Sequence, residues 1–393
     1  MKKTTLTTFF LLAALTVSGC QNNQPASQPQ PPAEDPAPPV VSTVQPPQYY
    51  FIRNDFVGSF DAEGWHSVSD VQEVLPTSGE EEQPTVPRKT FTISEVANVE
   101  CYQLYSLDKF LGDAAEIIWP TEAGGLGSFG FDSDSEFTDD MAAALSELAQ
   151  PVMDEATKKP QPGWGRIALP ANFADSPLAD LTLPYYNANG YFSLNETINF
   201  SDYPVRLATS AQHNPLPQKV QVLYQLSDEL EAYFSRELTA MGIPDAPVNL
   251  TDYYAADFDH DGLEESLLIL QTATNENDSL LVSEEEQLGR SGAYCLVAYI
   301  DDQEASPEQI PQTLYSWSNP YTADTLSELM SKNELVSVDH YRHLTFLGAY
   351  DLNGDSTLEF CLSDSQWESG AVRVYSLDEN DQYRTVLLSL YGS

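Results

Sequence analysis

Two nine-residue acidic loops constrain the fold of this chain more than any other feature. They are Asp257-Phe-Asp259-His-Asp261-Gly262-Leu263-Glu264-Glu265 and Asp351-Leu-Asn353-Gly354-Asp355-Ser356-Thr357-Leu358-Glu359. Each places an oxygen-bearing side chain at positions 1, 3, 5 and 9. Alternate residues can turn their oxygens to one point only where the backbone curls back on itself. Apolar, strand-like runs flank both loops: Tyr253-Tyr254 and Ser266–Leu270 around the first, Phe346–Tyr350 and Phe360–Ser363 around the second. Both therefore read as strand–loop–strand connections between antiparallel neighbours.

The chemistry of these loops is that of a hard cation. In the first, Gly262 permits a left-handed bend, and Leu263 would add its backbone carbonyl to Asp257, Asp259, Asp261 and Glu265. The second offers Asp351, Asn353, Asp355, Thr357 and Glu359, with Ser356 where the first has glycine, so Ser356 must accept strain or a different turn. An all-oxygen ring suits Ca²⁺ better than Mg²⁺ or a transition metal. Neither loop has the glutamate at position 12 that an EF-hand requires; both carry leucine there. The bland alternative is a pair of solvated acidic hairpins.

These residues resemble the calcium loops of FG-GAP/VCBS-type repeats of integrin-like propellers and bacterial surface proteins. Two flanking segments extend the likeness, Leu238–Asn249 before the first loop and Gln366–Tyr375 after the second. Over roughly residues 216–393 the chain is similar to uncharacterised lipoproteins of Gram-positive gut anaerobes. The resemblance implies calcium binding and surface display, and no agreed activity. The loops start 94 residues apart (351 − 257), about two propeller blades at roughly 40–50 residues each. Two loops do not establish a closed ring.

The first 48 residues cannot join such a core. Lys2 and Lys3, the apolar run Leu6–Val17 and the small residues Ser18-Gly19 precede Cys20. The apolar run is shorter than the roughly 20 residues a spanning helix needs and fits a cleaved signal segment over 1–19. A cysteine directly after Ser18-Gly19 resembles the lipobox of bacterial lipoproteins, which implies a diacylglyceryl group on Cys20 and the membrane as a partner. Residues 20–48, with Pro-Pro at 31–32, 38–39 and 46–47, read as a stiff tether. The expected location is the outer face of the bacterial cytoplasmic membrane.

Charge narrows the partners. The net charge is −43, from 17 basic and 60 acidic residues. Such a body is repelled by phosphate backbones, which argues against nucleic acid, and it attracts divalent cations. Beyond Cys20 stand Cys101, Cys295 and Cys361. An odd number leaves at least one unpaired within the chain, and Cys295 and Cys361 lie in strand-like runs that suit buried thiols.

The folded part should be β-rich α+β, with antiparallel blade-like sheets and a few helices, divided into an N-terminal domain over 49–210 and a C-terminal domain over 211–393. Helices are expected over Asp140–Lys158, where Met141, Leu145, Leu148 and Val152 form a stripe, over Leu216–Met241, and near Ala323–Ser331. Strands are expected near Tyr191–Leu194, Ser266–Leu270, Tyr294–Ile300, Thr313–Trp317, Arg342–Tyr350, Leu358–Ser363, Val372–Ser376 and Thr385–Leu390.

Weaker signals do not rise to catalysis. His340 and His343 lack a following glutamate, Ser106-Leu-Asp-Lys109 lacks companion motifs, and Asp132, Asp134, Glu136 and Asp140 lack a turn glycine. Two function classes follow. One is a non-enzymatic, calcium-stabilised surface module that binds or scaffolds an extracellular ligand or protein. The other is an extracellular hydrolase or carbohydrate-binding protein with its site in the N-terminal domain, where Trp65, Trp119 and Trp164 could stack on sugars.

Overall fold

Runs of apolar residues along successive strands build three antiparallel sheets, and each run explains its layer. The computed structural model describes residues 46–118 apart from 54, 72–84, 98, 100 and 115; residues 149–153, 157, 160–167 and 191–193; and residues 205–392 apart from 273–291, 302–310, 321–323, 326–327, 329–330, 333–341 and 367–368. The signal segment, Cys20, residues 21–45 of the expected tether and the acidic run Asp132–Asp140 lie outside the described residues, while Gln48, at the tether's expected end, already belongs to β1. Gln45–Ser393 is a single compact unit.

The first sheet uses β1 (Gln48–Ile52), β2 (Asp55–Asp61), β3 (Gly64–Ser67), β4 (Gln103–Tyr105) and β5 (Phe110–Asp113). Three short strands, β6 (Glu116–Ile118), β7 (Ala149–Met153) and β8 (Pro160–Ile167), precede β9 (Tyr191–Ser193) and β10 (Leu207–Thr209). The six-stranded order is β3-β2-β1-β10-β4-β5, while β6 pairs with β9 and β7 with β8. A short helix, α1 (Ile93–Ala97), sits between β3 and β4. Thr92 and Glu95 cap it reciprocally: Glu95 N–H donates to Thr92 Oγ1 at 3.2 Å and Thr92 N–H to Glu95 Oε2 at 2.7 Å.

The second sheet orders β11 (Gln221–Val222), β12 (Leu250–Ala256), β13 (Glu265–Gln271), β14 (Tyr294–Ile300) and β15 (Gln312–Ser318) sequentially. The third is a four-stranded meander of β16 (His343–Tyr350), β17 (Glu359–Gln366), β18 (Ser369–Leu377) and β19 (Tyr383–Gly392). None of the described sheets closes into a barrel.

Side-chain alternation fixes the stacking. Leu268, Leu270, Tyr294, Leu296 and Ala298 face helix α2 (Asp228–Ala240) through Phe234 and Leu238. The intervening Leu267, Ile269, Cys295, Val297 and Tyr299 face Leu344, Phe346, Phe360, Leu362 and Tyr383 of the third sheet. The other face of that sheet, through Leu347, Cys361, Val372, Val374 and Leu387, packs on Tyr50, Ile52, Val57 and Leu207 of the first. The order is helix, second sheet, third sheet, first sheet. Strands covered on both faces carry continuous apolar runs, as in β13, where all seven residues are buried. The core of Tyr50, Ile52 and Leu207 with Val372 and Leu387 runs across the division between residues 210 and 211.

The expected strands from Ser266 onward match β13 to β19 closely, and the β-rich antiparallel class is the observed one. Three details differ. Residues 149–153 form β7 within the stretch expected to be helical, and Pro151, which lacks an N–H and clashes in a helix interior, is the reason. The long helix begins at Asp228 and not Leu216; Ser227 caps it by accepting from Leu230 N–H, and Asp228, Glu229 and Glu231 favour its positive end. Leu223 and Leu226 still pack on the core from extended chain ahead of that cap. The 94-residue offset spans one sheet and not two, because long connections separate the strands of the second sheet. Near Ala323–Ser331 the described positions 324, 325, 328 and 331 are helical.

Aromatic rings fasten the second and third sheets. Phe258 meets Phe360 edge-on at 4.9 Å, Phe360 meets Tyr383 at 4.3 Å and Tyr383 meets Tyr299 at 4.7 Å. Removing a fully buried phenylalanine costs about 3–5 kcal/mol. Phe360→Ala should lose that amount in a denaturant melt, in one transition seen alike by tryptophan fluorescence and far-UV dichroism.

Candidate metal centre

Both acidic loops are hairpin connections at equivalent places: the first joins β12 to β13, the second β16 to β17. Their internal bonding repeats position by position. The N–H of position 2 donates to the position-9 glutamate, Phe258 to Glu265 Oε2 at 2.5 Å and Leu352 to Glu359 Oε2 at 2.7 Å. Position 5 donates to the side-chain oxygen of position 3, Asp261 to Asp259 at 3.1 Å and Asp355 to Asn353 at 2.9 Å. Position 7 donates to position 5 at 2.8 Å in each, Leu263 to Asp261 and Thr357 to Asp355. Position 6 donates to position 1 at 3.2 Å in each, Gly262 to Asp257 and Ser356 to Asp351.

This curl needs left-handed backbone at positions 4 and 6, and the loops share the strain differently. The first has His260 at φ 67° and Gly262 at φ 93°; the second has Gly354 at φ 84° and Ser356 at φ 81°. Each loop therefore supplies one glycine and strains one other residue, at about 1–2 kcal/mol. The strain expected at Ser356 is present.

The cation-binding geometry is most developed in the first loop. One ligand oxygen from each of Asp257, Asp259, Asp261 and Glu265 lies within 4.8 Å of the others. Glu265 is wholly buried, and its Oε1 and Asp257 Oδ1 have no hydrogen-bond partner among the described residues. Such groups are costly to bury unless something compensates them. Burial pushes the Glu265 carboxyl up to about 7, the Phe258 and Asp259 N–H groups opposing and the Asp259 and Asp257 charges reinforcing the shift. Asp259 is raised too, by burial and by the charges of Asp261, Asp301 and Asp257.

In the second loop Glu359 has the same position but two donors, Leu352 N–H on Oε2 and the Ser376 hydroxyl on Oε1 at 2.9 Å. Its carboxyl is raised well above the usual range, chiefly by burial. Asn353 donates to Asp355 Oδ2 at 2.8 Å. His213 Nε2 lies 2.8 Å from the Asp351 carbonyl and 4.0 Å from its Oδ1. Asp351, Asp355 and Glu359 are not drawn together as the carboxylates of the first loop are.

Residues outside the two motifs complete the region. The connection before β11 passes both loops: the Pro215 carbonyl accepts from Asp351 N–H at 2.9 Å, and Gln218 Nε2 donates to the Asp257 carbonyl. The loops also touch, Leu358 N–H donating to the Phe258 carbonyl at 2.8 Å. His213, Gln218, Asp301 and Ser376 carry no spacing signal, since each reaches a loop through strand pairing or a long connection.

The rival sites contribute less. Half-buried Trp65 packs on Phe60 at 4.7 Å and Tyr50 at 6.1 Å, against the edge of the core. Trp164 lies in β8, and Trp119 and His340 lie outside the described residues. Ser106 and Lys109 close a tight hairpin turn through Ser106 N–H to Lys109 carbonyl at 2.9 Å. Cys295 and Cys361 are buried thiols and form no disulfide. Comparisons with protein-family models, with curated proteins and with solved structures give no match.

The raised Glu265 carboxyl sets a direction for pH. Without a cation the folded state holds its proton more tightly than the unfolded chain does. Its contribution is therefore complete below the ordinary value of 4.5 and is lost as pH rises through about 7. In EDTA the melting temperature should fall between about pH 5 and pH 8, and Glu265→Gln should flatten part of that fall, as scanning calorimetry would record.

Proposed function

We propose that this chain is a cell-surface lipoprotein, anchored through Cys20, whose stacked sheets form a non-enzymatic binding or scaffold module stabilised by Ca²⁺ in the loop Asp257–Glu265. The observation that carries the reading is the gathered carboxylate set around the unpartnered Glu265 Oε1. Asp257, Asp259, Asp261 and Glu265 would hold the ion, with the Leu263 carbonyl available to it. Asp351, Asn353, Asp355, Thr357 and Glu359 are a second and weaker candidate set.

The ion would act structurally. A divalent charge cancels the mutual repulsion of the carboxylates and fixes the turn that carries Phe258 into the core. Through Phe258 it also supports the bond to Leu358, and so the junction of two sheets. The partner would be an extracellular ligand or protein, and the acidity of the body speaks against nucleic acid.

Extracellular calcium modules bind at about 10⁻⁴–10⁻³ M. At 10 mM Ca²⁺ that corresponds to roughly 1.4–2.7 kcal/mol of added stability by mass action. Calorimetry should show a higher melting temperature in 10 mM Ca²⁺ than in EDTA (~10 mM being well above that affinity range), and Asp259→Ala with Asp261→Ala should abolish the difference. Equal melting temperatures for the unsubstituted protein would overturn the calcium assignment. Separately, Cys20→Ser should move the expressed protein from the membrane pellet to the soluble fraction, and an unchanged distribution would refute the anchor.

A further inference from the structure

We propose that the connection between β10 and β11 is a clamp on both acidic loops: Gln218 and His213 hold the first residue of each, and the clamp carries the state of the first loop's cation site to the second loop. This rests on the calcium reading of Asp257–Glu265 and adds two positioning residues outside the motif together with a route between the loops.

One contact is made twice. Gln218 Nε2 donates to the Asp257 backbone carbonyl, and His213 Nε2 lies 2.8 Å from the Asp351 backbone carbonyl. A carbonyl oxygen only accepts, so the His213 ring carries a proton on Nε2. Asp257 and Asp351 are position 1 of their loops. In each hairpin the strand ladder stops one residue earlier, its last pairs being Ala256 with Glu265 and Tyr350 with Glu359. Position 1 thus lies just beyond backbone pairing, and in both loops a side-chain donor from the same connection takes over there. The Pro215 carbonyl adds a backbone bond on the second, accepting the Asp351 N–H at 2.9 Å.

The clamp is stiff and anchored at both ends. Asn214-Pro215-Leu216-Pro217-Gln218 contains two prolines, which fix φ and reduce the freedom lost on folding. The Asn214 amide folds around Leu216, donating to its carbonyl at 3.0 Å and accepting its N–H at 3.2 Å. Leu216 packs on the core between the third and first sheets, and Val220 on the core between the second and third. Gly354 leaves room for the His213 ring, since a Cβ there would come within 3.3 Å of Nδ1. At the first loop the clamp aims a ligand. Asp257 Oδ2 accepts the Gly262 N–H, while its buried Oδ1 has no hydrogen-bond partner among the described residues. Holding the Asp257 carbonyl from one side and Oδ2 from the other fixes where Oδ1 points within the gathered set. An ion that orders Asp257 therefore orders Gln218, and through the proline-stiffened segment the Pro215 carbonyl that holds Asp351.

Titration calorimetry of the purified full chain with CaCl₂, together with hydrogen exchange at the Asp351 amide, tests both parts. Gln218→Leu keeps the bulk and removes the donor, and should weaken Ca²⁺ binding about ten- to a hundredfold, the range for groups that orient metal ligands. Gln218→His supplies the kind of N–H donor that the second loop uses and should recover most of that loss. Gln218 is only partly buried, so both variants should keep the far-UV dichroism of the parent. At saturating Ca²⁺ exchange of the Asp351 N–H should slow in the unsubstituted protein and stay unchanged in Gln218→Leu. Unchanged affinity in Gln218→Leu, while Asp259→Ala still abolishes binding, would overturn the clamp and leave the calcium reading standing. So would equal losses in Gln218→Leu and Gln218→His at parental dichroism, because the donor would then not be the operative group. Equal slowing of Asp351 exchange with and without Gln218 would overturn the route between the loops. No binding by the unsubstituted chain would remove the proposal and the calcium reading together.

Discussion

In both acidic hairpins a buried glutamate accepts the N–H of the residue seven places earlier, and the stacking of the sheets depends on that closure. That hydrogen bond turns the second residue of each loop inward. Phe258 then meets Phe360, and its carbonyl takes the Leu358 N–H. Leu352 lies equally deep, and its carbonyl takes the Tyr50 hydroxyl at 2.6 Å. The first loop thereby ties the second sheet to the third, and the second ties the third to the first. These loops are joints between layers.

A buried carboxylate is a costly joint, and the two sheets offset the cost by different means. Glu359 has a hydroxyl donor and keeps a high proton affinity, so hydrogen bonds alone satisfy it. Glu265 sits among Asp257, Asp259 and Asp261 with one oxygen lacking a donor. Elsewhere the fold meets buried charge in the ordinary way. Asp364, nearly inaccessible between the second and third sheets, accepts from Arg342 at 3.0 Å, Arg373 at 3.2 Å and the Tyr315 hydroxyl at 3.0 Å. Among the described residues the first loop gathers its carboxylates without such basic partners, which is the physical case for an external cation there.

Much of this is legible in the amino-acid sequence alone. Strands covered on both faces advertise themselves as apolar runs, and Ser266–Leu270 and Tyr294–Ile300 match β13 and β14 to within a residue at each end. The loop motif was legible because its own side chains close it. Contacts made by register were not legible. Ser376 and Asp301 lie 17 and 36 residues from the glutamates they oppose (376 − 359 and 301 − 265), and only pairing brings them there. The same holds for His213 and Gln218, which reach the loops along a connection without periodicity. The spacing of Met141, Leu145, Leu148 and Val152 suggests a helix, but it takes no account of Pro151, and residues 149–153 are a strand.

Two scales of negative charge act on this protein, and they should not be confused. The net charge of −43 is spread over the whole chain. At physiological ionic strength, screening confines such surface repulsion to about 8 Å. Acidity of that kind is met by diffuse monovalent ions. The oxygens of Asp257, Asp259, Asp261 and Glu265 lie within 4.8 Å of one another, inside that screening length and partly out of reach of water. Diffuse ions cannot neutralise charges at that separation; a bound ion or a proton can. Below about pH 7 a proton on Glu265 relieves that crowding, while above it the buried charge is a cost to the folded loop. The local crowding of oxygens, more than the overall charge, is what makes this loop a candidate for a bound cation.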